Sequence, residues 1–231
     1  MLSAKMEDYL RAVYELQRRD GGSVATSSVA EALDVTPPTA TSMLGTLADR
    51  GLLDREKYRG VELTPEGETV ALEIIRHHRL IETYLAERLG YDWTEVHDEA
   101  DSLEHHISEA FERRVADQLD DPDVDPHGDP IPADTLDPVS GVEGTTLAAR
   151  DEGEAVVVRR VQDDDPNELA YLEASGITPG TQILVEEVAP IGVMTVVPAD
   201  DEPVAIPDGI AEVIWVDAVE TQSWTEPNGL A

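Results

Sequence analysis

The sequence predicts a mainly α-helical chain with a small β domain at its C-terminal end, and three observations predict it. Apolar residues recur at helical spacing through the N-terminal half. A Pro- and Asp-rich stretch without periodicity, 117–140, interrupts that pattern. From Gly144 onward, short β-branched runs alternate with turn residues. The predicted domains are 1–70, 71–140 (including the Pro/Asp-rich linker) and 141–221, with a tail at 222–231.

Composition narrows the class. The chain has 231 residues, with 16 Lys+Arg against 50 Asp+Glu and a net charge of −34. Only Lys5 and Lys57 are lysines, and Phe111 is the single phenylalanine. Such acidity self-repels in dilute buffer and fits a proteome held at high salt, a halophilic reading that melting temperature against KCl concentration tests. The absence of cysteine excludes disulfides, thiolate metal sites and thiol catalysis. The N-terminus has no signal-type apolar run and no stretch of about 18 apolar residues occurs, so the expectation is a cytoplasmic protein without membrane partners. The charge is uneven. Residues 1–60 are nearly neutral while the remainder carries almost all the excess, so the first segment is expected to face an anionic partner.

Taken in order, Tyr9, Leu10, Val13, Tyr14 and Leu16 give a helix over 6–18, ended by Asp20-Gly21-Gly22. Ser27 or Ser28 can cap a short helix to Leu33, with Glu31 near the capping-box position. After the turn Asp34-Val35-Thr36, Pro37 and Pro38 suit the first turn of a helix reaching about Arg50 and stopping at Gly51. This is either a plain helical hairpin or a helix-turn-helix whose second helix offers small polar residues to base edges. The next residues favour the latter. Two short runs, 52–55 and 61–64, flank a basic Gly-containing turn, as in a winged helix. The candidate DNA contacts are Ser27, Thr36, Pro38, Thr39, Thr41 and Ser42, with Arg55, Lys57 and Arg59 placed for phosphates of double-stranded DNA.

Pro65-Glu66 opens a long helix, with room for one kink, that ends near Leu89-Gly90 and places His78 and Glu82 four residues apart. The stretch HDEADSLEHH, 97–106, read as one helix, gathers His97, Asp101, Glu104 and His105 within an arc of about 100°. Val96, Ala100, Leu103, Ile107 and Phe111 form the adjoining apolar arc. Two readings fit that donor face: a site for a hard to borderline divalent cation, or a charged surface. His77 and His106 read as polar surface residues. His127 and its Asp neighbours read as a solvated linker, with cation binding the alternative.

The last third reads as five strands, 155–161, 182–188, 192–197, 203–206 and 211–219, with one helix over 166–175 ended by Gly176. That pattern is a small barrel, with Trp215 in its core and a loose tail after Thr221.

Several stretches together resemble the diphtheria toxin repressor family of metal-dependent transcriptional regulators. They are MEDYLRAVYEL (6–16), the helix-turn-helix, EKYRGVELTPEG (56–67), HHRLIETYL (77–85), VHDEADSLEHHIS (96–108) and HGDPIP (127–132). The resemblance implies an N-terminal winged helix-turn-helix, a helical dimerisation and metal domain, and a C-terminal SH3-like (FeoA-like) small barrel. It implies a repressor of metal-uptake genes that, when metal-loaded, binds a palindromic operator as a homodimer, without a small organic substrate. It also implies a primary site of Asp8, Asp101, Glu104 and His105 and an ancillary site of His78, Glu82 and His97, two ions per subunit. Asp8 and Asp101 stand where iron-type members carry Met and Cys, so the oxygen-rich set points to Mn²⁺, with Fe²⁺ the alternative. Arg11 departs from the manganese subgroup, which has a Glu ligand there. Gln162 and Asp163 to Asp165 are the nearest candidates for a ligand from the third domain. A metal-dependent hydrolase and a metal-storage or interaction module are the rival readings of the donor face.

Overall fold

In the computed structural model, residues 2–56, 59–138, 144–162, 165–199 and 202–219 are described. They form two compact units: Met1–Ile81 with Ala100–Asp123 and Ile131–Gly141, and Glu82–Glu99 with Val124–Pro130 and Val142–Ala231.

In the first unit, α1 (Ala4–Asp20) buries Tyr9, Leu10, Val13, Tyr14 and Leu16, as its spacing predicts. Helix α2 (Thr26–Ala32) starts one residue before Ser27, with Ala25 at the N-cap position. Ser27 and Ser28 therefore stand inside its first turn and do not cap it. Helix α3 (Pro37–Asp49) begins on its two prolines and buries Ala40, Leu44 and Leu47 against α1 and α2. Strands β1 (Leu53–Glu56) and β2 (Gly60–Leu63) pair antiparallel, Leu53 opposite Leu63. A feature not read from the sequence adds a third segment beside β2. Val24, just before α2, exchanges both backbone hydrogen bonds with Val61 at 2.9 Å. That approach requires glycine at Gly60, which has φ +101° and where a Cβ would run into the Val24 carbonyl.

Helix α4 (Pro65–Tyr84) is continued by a π-helical turn (Leu85–Leu89), which ends at left-handed Gly90. Much of α4 is buried, polar positions included: Arg76, His77, His78, Glu82 and Thr83 are all buried. His77 is thus not a surface residue. It packs 3.4 Å from Glu112, which also receives Arg76 at 2.6 Å. The stretch read as one helix over 96–111 is three pieces. Helix α5 (Val96–Leu103) tightens to a 3-10 turn (Glu104–His106), and the chain then extends at Ile107 (φ −85°, ψ 156°). Ser108 restarts it by accepting from the Phe111 N–H as N-cap of α6 (Glu109–Gln118). Val96 and Ala100 are buried, but Leu103 and Phe111, expected on the same apolar arc, are exposed.

In the second unit, six strands form one antiparallel sheet in the order β3-β8-β4-β5-β6-β7. They are β3 (Thr145–Thr146), β4 (Ala155–Val161), β5 (Gln182–Ala189), β6 (Val193–Pro198), β7 (Val204–Pro207) and β8 (Ile214–Ala218). Inward positions such as Val156, Val158, Ile183, Val185, Ile214 and Val216 make the core, which Leu169 and Leu172 of α7 (Pro166–Ala174) join. Irregular registers between Val158 and Arg160 and between Val185 and Glu187 bend the sheet around this core. Two expectations are corrected. The strand expected over 211–219 begins at Ile214, because Asp208–Ala211 is a short helix, α8. Trp215 alternates outward from buried Ile214 and Val216, and Arg160 stacks over its ring at 4.4 Å. No helix among the described residues is long and apolar enough to cross a membrane.

Candidate metal centre

The first cluster lies within the first unit. Glu7, Asp8 and Arg11 fall at i, i+1 and i+4 of α1, on the side away from its buried stripe. The 3-10 turn after α5 supplies Glu104, 2% exposed, and His105. The ligand atoms of Asp8, Glu104 and His105 all lie within 4.8 Å of one another. His105 Nε2 is 2.8 Å from Asp8 Oδ1 and 3.2 Å from Glu104 Oε1. Its other nitrogen, Nδ1, is 2.8 Å from Glu7 Oε2. The second oxygen of Glu104 is taken: Arg11 Nη1 donates to Oε2 at 3.2 Å, and His78 Nδ1 is 2.7 Å away. A cavity of about 220 Å³ opens beside the cluster, lined in part by Leu2, Glu7, Ile74, His77, Glu104 and His105.

Asp101, the fourth residue of the predicted primary set, is turned to the Arg11 side, with Oδ1 3.2 Å from Arg11 Nη1 and 3.3 Å from His78 Nδ1. Burial opposes the Arg11 charge, but Glu15, Glu104 and Asp101 outweigh it and hold the guanidinium protonated well beyond its ordinary range. Burial pushes the Asp8 carboxyl above the usual carboxylate value, with His105 pulling the other way.

The second cluster lies within the second unit and is more deeply enclosed. Glu82, Asp125 and His127 are 0%, 5% and 0% exposed, and their ligand atoms also fall within 4.8 Å. Glu82 Oε1 is 3.2 Å from His97 Nδ1 and 3.9 Å from His127 Nδ1. His127 Nε2 donates to the Trp93 carbonyl at 3.1 Å, a bond that needs the proton on Nε2 and leaves the Nδ1 lone pair facing Glu82. Asp125 Oδ1 accepts from the backbone N–H groups of His127 and Asp129, both at 2.9 Å, which closes a tight turn. Val161 N–H bonds the His127 carbonyl, and Asp129 binds Arg160 at 2.7 Å, so the turn is fastened to β4. The segment read as a solvated linker therefore includes a buried polar turn.

Of the predicted ancillary set, Glu82 and His97 meet in the second unit, while His78 belongs to the first and faces Glu104. Sequence reading holds cation binding by His127 and its Asp neighbours only as the alternative to a solvated linker, and does not single out Glu7. The one available signal for the former was DPHGD, a His between two Asp at spacing two. Gln162 N–H bonds the Val213 carbonyl and so extends the β4–β8 pairing, Asp165 caps α7, and Asp163 and Asp164 lie outside the described residues.

Both donor sets fit a divalent cation: two carboxylates and one imidazole each, partly or wholly buried, with no sulfur. The predicted DNA contacts Thr36, Pro38, Thr39, Thr41 and Ser42 are exposed around the start of α3, as are Ser27, Arg55 and Arg59. Lys57 lies outside the described residues.

Comparison with known proteins agrees along the chain. Residues 1–61 match the N-terminal DNA-binding domain of iron-dependent repressors, and 64–133 match their metal-binding and dimerisation domain. Residues 145–218 match the FeoA domain. The chain is 33% identical over 224 residues to the iron-dependent repressor IdeR of Mycobacterium tuberculosis, covering 92% of this chain and 96% of that one. It is 32% identical to the diphtheria toxin repressor of Corynebacterium glutamicum over 224 residues, 93% and 96% of the two chains. A solved manganese-dependent transcriptional repressor in complex with manganese superposes with a TM-score of 0.85 at 34% identity, covering 93% of this chain and 100% of that one. ScaR with bound Zn²⁺ gives 0.78 at 32% identity, covering 93% and 99%. The comparisons give no support to the hydrolase or storage readings. With all three of its modules matched in order, the chain belongs to the iron-dependent (diphtheria toxin) repressor family of metal-dependent transcriptional regulators.

Proposed function

We propose that this chain is a metal-dependent repressor of metal-uptake genes, which binds a palindromic operator as a homodimer when loaded with Mn²⁺ or, alternatively, Fe²⁺. One observation carries the reading. Asp8 sits on α1, whose buried face packs against α2 and α3, and it meets His105 and Glu104 from a turn about a hundred residues later in the chain. A cation held by Asp8, Glu104 and His105 would tie the DNA-reading helices to that turn, and so would bind one arrangement of them more tightly than another.

Asp101 remains the fourth candidate for this ion, and Glu82, Asp125 and His127, with His97 beside them, are the candidates for a second. All donors are oxygen or imidazole, which suits Mn²⁺ best, then Fe²⁺. On the DNA side, α3 would enter the major groove with Thr36, Pro38, Thr39, Thr41 and Ser42, while Arg55, Lys57 and Arg59 would meet phosphates, Ser27 supporting from α2. Two copies would read half-sites about one helical turn, or a multiple of it, apart.

The test is a gel shift on its own promoter and on metal-transporter promoters with Mn²⁺, Fe²⁺ or chelator. The expected outcome is a shift with metal only, and its loss in Glu104→Ala. A shift that persists in chelator, or no shift under any condition, would overturn the reading.

A further inference from the structure

We propose that Glu7 is a positioning residue for the metal centre, fixing the ring orientation and proton location of His105 without itself binding the ion. The inference rests on the ion at Asp8, Glu104 and His105 proposed above. His105 is gripped from both sides by consecutive residues of α1: Nδ1 lies 2.8 Å from Glu7 Oε2, and Nε2 lies 2.8 Å from Asp8 Oδ1. A neutral imidazole carries one N–H and one lone pair. Each nitrogen faces a carboxylate oxygen at 2.8 Å, and an ion shared with Asp8 and Glu104 would take the Nε2 lone pair and leave the proton on Nδ1. With the proton on Nδ1, Glu7 accepts a charge-assisted bond, and the Nε2 lone pair points at the space shared with Asp8 and Glu104.

Glu7 is set apart from the ligands by that geometry, since its oxygen meets the far nitrogen of the ring. A carboxylate on the distal nitrogen of a ligating histidine orients the ring and raises its basicity, and losing such a partner typically weakens metal binding about 10–100-fold. Helix α1 would then supply one direct ligand and also set the aim of a second that belongs to another element.

The experiment is a Mn²⁺ titration of the full chain, followed by electron paramagnetic resonance of free Mn²⁺, for wild type, Asp8→Ala, Glu7→Ala and Glu7→Gln. Asp8→Ala identifies which binding class belongs to this site. If Asp8→Ala changes no class, the site itself is wrong, and that failure is separate from the one tested here. Glu7→Ala is expected to weaken that class about 10–100-fold and leave the other unchanged. Glu7→Gln, which still accepts from Nδ1–H, is expected to recover most of the loss. In the Zn²⁺-loaded protein, a slowly exchanging His105 Nδ1–H proton resonance should be present in wild type and Glu7→Gln and absent in Glu7→Ala. Wild-type affinity in Glu7→Ala, with or without a lower melting temperature of the metal-free form, reduces Glu7 to a structural tie and overturns the proposal. Equal weakening by Gln and Ala makes its effect one of charge alone and overturns it too.

Discussion

The two donor clusters hold the same kinds of ligand, two carboxylates and an imidazole, in opposite settings. Asp8, Glu104 and His105 are drawn from distant stretches of chain; Glu104 and His105 line a cavity, and the Asp8 side chain is 42% exposed. Glu82 on α4 and Asp125 and His127 on a turn are almost fully enclosed, and that turn is bonded through its backbone to itself and to β4 and through the His127 ring to Trp93. A cluster whose parts can separate suits reversible sensing. A cluster set into a closed turn suits an ion that stays and stabilises the fold. The first also carries a built-in cation, Arg11, on Glu104, whereas in the second an imidazole nitrogen, His97 Nδ1, lies 3.2 Å from Glu82 Oε1.

This contrast can be broken experimentally. The largest effect is expected from Asp8→Ala, which should cut metal-dependent operator binding by at least about 100-fold, the loss of a direct ligand exceeding that of an outer-shell partner. His127→Ala should mainly lower the melting temperature in the presence of Mn²⁺ and spare more of the DNA response. Gel shifts and thermal melts read both, and a reversed ranking would exchange the roles of the clusters.

Next in size is Gly128→Ala. Gly128 has φ +89°, and a Cβ there would strike the Arg159 carbonyl, so the turn carrying Asp125 and His127 must shift. A destabilisation of about 1–3 kcal/mol is expected in urea unfolding, with loss of the enclosed ion. An unaffected second binding class would show that the turn is not what holds it.

Arg11→Met sharpens the comparison most finely. Its guanidinium competes for a carboxylate at 3.2 Å, so removal should tighten the sensing site several-fold while destabilising the metal-free form, because buried Glu104 loses a partner. Weaker Mn²⁺ binding in this variant would make Arg11 a support for the site rather than a rival cation.

Much of this was legible in the residues. Helical spacing in α1 and α3, the Pro37-Pro38 start and the turn before Gly60 are local signals, and the reading head follows from them. Asp8, Glu104 and His105 were legible through resemblance, since no local pattern joins residues so far apart. The break at Ile107 was not legible. No Pro or Gly marks it, and an unbroken 3.6-residue period carries Phe111 into a core from which the real chain turns away. The enclosed cluster was hidden for a different reason. An Asp- and Pro-rich run reads as solvated until Trp93 and Val161, about 34 residues to either side of His127, close over it. Trp215 shows the limit of composition: a large aromatic in a strand can face outward if an arginine covers it.

The bridge between Val24 and Val61 has a consequence of its own. By riveting the wing to the segment that leads into α2, and with Gln17 of α1 accepting from the Leu63 N–H at 2.9 Å, it makes helices and wing one solid stamp. Such a stamp cannot be loosened or reshaped piecemeal by a change at Asp8. It can only be carried, whole, to a new place. Under the proposed function, the width of each operator half-site would then be a constant of the protein, and the distance between half-sites the quantity left for the metal to choose.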